Sequence, residues 1–211
     1  MIGQKFLFLN YYKQIPVSYD ATLLNVEKEM AEFTVHEYQA KIINIQRQAL
    51  IYSHHLSPFS EDICGDAFYV NSSKKRAILC RFGFVRVRSV MRNYVRVHLD
   101  TPLEVALLFA GDTIFGNIQD ISISGASIQI MTRDLLEPGL EINLRLKLPD
   151  IYNKKITEVE TRATIVRLLG NKAPFNCIVE FQPDKYPQQQ LSHYIHQRQV
   201  EIIKELKSIN A

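Results

Sequence analysis

Arg92 and Arg96 stand four residues apart in Arg92-Asn93-Tyr94-Val95-Arg96, and downstream comes Asp120-Ile121-Ser122-Ile123-Ser124-Gly125. Each arginine offers a planar, permanently charged fork that pairs with phosphate or with the O6/N7 edge of guanine. The second stretch supplies a carboxylate acceptor at Asp120, a hydroxyl at Ser122 and, at Gly125, a place where backbone can approach a ligand closely. Cationic forks suit an anion, and short acceptors suit the N–H groups of a purine. Either stretch alone is weak evidence; the two together look like a binding site for a phosphate-bearing purine.

The charge distribution points the same way. The formal net charge is only +3, yet Lys74, Lys75, Arg76, Arg81, Arg86, Arg88, Arg92 and Arg96 follow one another with no Asp or Glu among them. Without those eight, the basic residues are outnumbered by the 22 acidic ones, so the positive potential is local to the approach to the first motif. Such a patch raises the local concentration of an anion and speeds its encounter.

Other chemistries find little support. His193 and His196 have a helical i, i+3 spacing but no cysteine or carboxylate of matching spacing, and His54-His55 near Cys64 is equally thin, so no metal is expected. Ser122 and Ser124 lie near Asp120 without a histidine nearby in sequence, and no phosphate loop, zinc-protease helix or nucleophile elbow occurs. The chain is expected not to be an enzyme. Cys64, Cys80 and Cys177 are odd in number and widely spaced, which fits reduced thiols. No apolar run approaches the ~18 residues of a membrane helix and the N-terminus lacks a cleavage site, so a cytoplasmic location without membrane insertion is expected.

The elements that must position these residues are mostly strands. At 211 residues, 46% hydrophobic and 22% charged, the chain is globular and long enough for two small domains. Glu32 to Tyr38, Lys41 to Ile45, Ala49 to Tyr52, Asp66 to Val70, Arg76 to Cys80 and Phe84 to Val90 read as short strands, and Pro16 marks a turn into an edge strand. Residues 1–88 are therefore expected to form a β-barrel-like regulatory or interaction domain. Residues 89–211 begin a second β-rich unit, in which Ile142, Leu144, Leu146 and Leu148 alternate cleanly inward. Strand following strand predicts a mainly β protein of two small antiparallel barrels. From Gln188 the period changes: Leu191, Ile195, Ile202, Leu206 and Ile209 form one stripe on a C-terminal amphipathic helix. That stripe suits either a cover over its own barrel or pairing in a homodimer, and a single terminal helix more often docks on its own domain.

The two motifs, in this order and with strand-like sequence between them, resemble the PilZ family, receptors for the bacterial second messenger cyclic di-GMP. The resemblance covers roughly Met91 to Ala211. A β-domain ahead of it also resembles the two-domain, flagellar-brake type of PilZ protein. The likeness implies that Arg92 and Arg96 wrap over a cyclic di-GMP resting on the strand of Asp120, Ser122 and Gly125. No cofactor besides this ligand, and no specific nucleic acid, is implied. It further implies that binding reorients the first domain to regulate motility or biofilm behaviour through a protein partner. Arg88-Ser89-Val90-Met91-Arg92 also fits the arginine spacing; Arg92 and Arg96 are preferred because Arg96 runs straight into Val97-His98-Leu99. Met91 and Asn93 stand where many members have a further arginine, which favours one bound ligand over two. Two alternatives stay open. One is an interaction module of this fold that no longer binds nucleotide. The other is a single-stranded nucleic-acid binder that stacks bases on Phe82, Phe84 and Tyr94.

Overall fold

The computed structural model describes residues 1–53, 59–85 and 94–209. Its contacts divide the chain into one unit of Met1–Asn93 with Ile202–Ala211, and a second of Tyr94–Glu201.

In the first unit six strands close into an antiparallel barrel: β1 (Lys5–Tyr12), β2 (Ile15–Glu27), β3 (Met30–Thr34), β4 (Gln48–Tyr52), β5 (Asp62–Asn71) and β6 (Arg76–Val85). Around the barrel their order is β1-β2-β3-β6-β5-β4. Alternate residues Phe6, Phe8, Ala21, Leu23, Phe33, Ile51 and Leu79 fill its interior. The β1–β2 turn places both Lys13 and Gln14 at positive φ, 48° and 71°, the mirror-image turn that matches strand twist. Pro16, expected to lead into an edge strand, instead pairs with Tyr11 inside a closed barrel, which has no edge.

A second departure concerns the segment after β3. β3 takes up Glu32 to Thr34 of the first expected strand, but its end at Glu37-Tyr38 and the whole strand expected over Lys41 to Ile45 give way to a helix, α1 (Glu37–Gln46). His36 caps its start, with Nδ1 accepting the Tyr38 N–H at 3.3 Å. Arg47, at φ 59°, closes its end by donating its N–H to the Ile43 carbonyl. The β-branched Ile42-Ile43-Asn44-Ile45 run looks like a strand, but Ala40, Ile42 and Ile43 are all fully buried, and that burial outweighs the local preference.

The second unit repeats the architecture with β7 (Val97–Phe109), β8 (Asp112–Ser122), β9 (Gly125–Ile130), β10 (Glu141–Pro149), β11 (Ile156–Leu169) and β12 (Phe175–Gln182), closed in the order β10-β11-β12-β9-β8-β7. Leu107, Ile118, Ile121, Ile128, Leu144, Leu146 and Ile165 form its core, and the alternation of β10 stands as expected. The long helix α2 (Lys185–Ser208) buries Leu191, Tyr194, Ile195, Ile202 and Leu206, while Ile209 lies beyond its end. The sequence expectation ran the second domain over 89–211; the contacts instead group residues from Ile202 onward with the first unit. There Glu205 accepts from the Tyr12 hydroxyl at 2.7 Å and pairs with Lys13 at 2.6 Å. Among the described residues no helix is long and apolar enough to cross a membrane.

Candidate functional site

Strand β8 must solve a spacing problem before it can present Asp120. Ile118 and Ile121 both point into the core and are fully buried, yet they are three residues apart, an odd step that simple alternation forbids. A register shift between Ile118 and Asp120 absorbs the extra residue, Gln119, as a bulge. Asp120 and Ser122 are thereby turned to the side away from the core.

At the start of β7, ahead of a register shift between His98 and Leu103, the residues alternate: Val97 and Leu99 are buried, so Arg96 and His98 lie on the outer side. His98 stands directly opposite Asp120 and Val97 opposite Ile121. Arg96 Nη1 donates to Asp120 Oδ1 at 2.9 Å, and the two side chains are only 23% and 22% exposed. Partial desolvation strengthens such a charge-assisted bond above the ~0.2–1 kcal/mol typical of exposed pairs. One of the five guanidinium N–H groups is spent on Asp120, and the fork keeps further donors for an anion.

Ser122 and Gly125 close the β8–β9 hairpin around Ile123 and Ser124. The Ser122 hydroxyl, 1% exposed, lies 3.2 Å from Ser124 Oγ and donates to the Gly125 carbonyl at 3.2 Å. In this arrangement it shapes the turn rather than standing open as a ligand donor. Gly125 is also explained from within. A Cβ there would sit 2.2 Å from the Val179 carbonyl oxygen of β12, where Glu180 pairs with Gly125. The space left by the missing side chain, expected to admit a ligand, is filled by the barrel's own backbone.

Arg88 and Arg92 lie outside the described residues, so of the arginines only Arg96 is placed at the site. Reading the sequence missed the neighbours that the sheet supplies. Besides His98 these are Ser127 of β9, opposite Asp120, and Asn176 of β12, whose Oδ1 accepts from Ser127 Oγ at 2.6 Å. The Gly125-Ala126-Ser127-Ile128 alternation hinted at Ser127; nothing local marked Asn176. Elsewhere, His193 is exposed and 3.8 Å from Asp150. Asp150 is held below the usual carboxylate range first by the N–H groups of Asn153 and Tyr152.

The family model for the PilZ domain matches residues 91–197, just over half of the chain. No curated protein matches. Among solved structures, the Bacillus subtilis inhibitor of motility MotI/DgrA is similar at 15% identity and TM-score 0.46, covering 95% of this chain and 98% of its own. YcgR from Escherichia coli, solved in complex with c-di-GMP, is similar at 12% identity and TM-score 0.48, covering 98% and 88%. MrkH of K. pneumonia, also solved as a c-di-GMP complex, is similar at 14% identity and TM-score 0.41, covering 96% and 89%.

Proposed function

Because the chain belongs to the PilZ family, we propose that it is a cyclic di-GMP receptor that binds on the outer face of β7–β8–β9. The observation that carries this reading is the half-buried Arg96–Asp120 pair, a cationic fork and a carboxylate acceptor held side by side by the Gln119 bulge. Arg96 pairs with a phosphate or a guanine edge, and Asp120 accepts from guanine N1 and N2. Arg92, or Arg88 in the alternative register, adds charge from the segment preceding β7. Drawing that segment onto the barrel reorients the first domain and passes the signal to a protein partner in motility or biofilm control. The ligand drives this change only by its difference in affinity between the two states.

A second reading is favoured by one observation. Ser122 and Gly125 are both required by the hairpin and by β12, so their presence does not separate a binding barrel from one kept for protein interaction. Isothermal titration calorimetry with cyclic di-GMP, against cyclic di-AMP and GTP, separates the two. Binding of the first alone at about −8 kcal/mol or better, near one equivalent per chain, is the receptor's result. Absence of heat with all three is the interaction module's.

A further inference from the structure

An acceptor alone reads guanine incompletely. Guanine offers donors at N1 and N2 and acceptors at O6 and N7, so a site that recognises it needs a donor set one base-width from its acceptor. Asp120 lies on β8, Ser127 opposite it on β9, and Asn176 on β12, the next strand over. Ser127 faces Ile178 while Asn176 faces Gln129, two residues along β12, so two strand spacings and two residues of rise set Asp120 and Asn176 roughly 12 Å apart, within the span of a purine hydrogen-bonded on both sides. All three residues are on the outer side, because Ile121, Ala126, Ile128 and Cys177 take the inner positions between and beside them.

The hydrogen bond between Ser127 and Asn176 settles which group the amide presents. Ser127 Oγ donates to Asn176 Oδ1 at 2.6 Å, so the acceptor half of the amide is occupied and the NH2 half is left as a donor. Ser127 is 3% exposed and out of a ligand's reach, whereas Asn176 is half-buried and accessible. Resting on the receptor reading above, we infer that Asn176 is a specificity-determining residue that donates to guanine O6, and that Ser127 positions it. Adenine carries an amino group where guanine carries O6, and two donors facing each other repel. The pair Asp120 and Asn176 thus selects guanine from both edges.

The test is displacement of fluorescent cyclic di-GMP by cyclic di-GMP and by cyclic di-AMP, from the full chain and from Asn176→Leu, Asn176→Asp and Ser127→Ala variants whose melting is checked. Asn176→Leu should weaken cyclic di-GMP about tenfold while leaving cyclic di-AMP unchanged, so that the preference itself falls about tenfold. Asn176→Asp should lower that preference further, because it offers an acceptor to O6. Ser127→Ala should give a smaller loss in the same direction. An Asn176→Leu variant with the full chain's affinity for cyclic di-GMP overturns the assignment. Equal weakening of both ligands overturns it as well, since it would mark a purely structural role. A full chain that binds no cyclic di-GMP sinks the receptor reading itself, and this assignment with it.

Discussion

The two barrels share one strand order. Numbered from its own first strand, each closes as 1-2-3-6-5-4, yet their first two strands carry different ion pairs. At the corresponding β1–β2 position of the first barrel, Lys5 and Asp20 lie 3.9 Å apart with side chains 71% and 60% exposed, a loose surface pair. Between β7 and β8, Arg96 and Asp120 are at 2.9 Å and mostly covered. Their connections differ too: β3 and β4 are joined through α1, whereas β9 and β10 are joined by residues 131–140, with Leu136 buried. Topology fixes where strands run; bulge, covering side chains and neighbouring strands decide whether a face can hold a ligand.

The largest expected effect breaks the second barrel and spares the first. Gly125→Val drives a Cβ into the Val179 carbonyl, so the second unit should lose upwards of about 3 kcal/mol, read as a lowered melting transition. Gly83→Val on β6, where no atom lies within 4 Å of the new Cβ, should change stability by less than about 0.5 kcal/mol. Arg96→Ala should next cost about 2 kcal/mol or more in cyclic di-GMP binding with the fold retained, while Lys5→Ala leaves binding unchanged in the same titration. Arg88→Ala should cost less than Arg96→Ala; the reverse order would show that the arginine register is shifted by four. Asp120→Ala should weaken guanine recognition and release Arg96. If a folded Asp120→Ala variant keeps full affinity, the carboxylate has no part in the site.

The smallest effect is a pH dependence. Burial pushes the Cys177 thiol up to about 11 and the Tyr194 hydroxyl up to about 12. In the unfolded chain both groups release their protons at lower pH, so the folded state is the one that binds more protons in the alkaline range. Their contribution to stability is complete below the ordinary thiol value of 9.0 and is lost as pH rises through about 11 and about 12. Denaturant midpoints of the second unit should therefore fall between pH 9 and 12. Cys177 should also resist thiol reagents at pH 8, which Cys64 and Cys80, both partly exposed, should not match.

What was legible in the sequence was whatever depends on a residue's own neighbours along the chain. Ile142, Leu144, Leu146 and Leu148 announced β10, and Leu191 to Leu206 announced α2, because burial repeats with the period of the element. The helix over Glu37–Gln46 was hidden by its isoleucines, whose burial is set by the surrounding barrel. The Lys13-Gln14 turn carried no glycine or asparagine to mark it. At the site, Arg96 and Asp120 were readable as chemistry, but their partners His98, Ser127 and Asn176 come together only through strand pairing. The structural demand for Gly125 was hidden for the same reason: the atom that requires a glycine belongs to Val179, far along the chain.

Hydrogen exchange with and without cyclic di-GMP compares the two barrels in one measurement. Ligand should slow exchange over residues 87–97, at the start of β7, and across the β8–β9 hairpin from Asp120 to Ser127, leaving β1 and β2 unchanged. Protection centred on the β1–β2 face, or saturating ligand with no change across 87–97 and 120–127, would contradict the account.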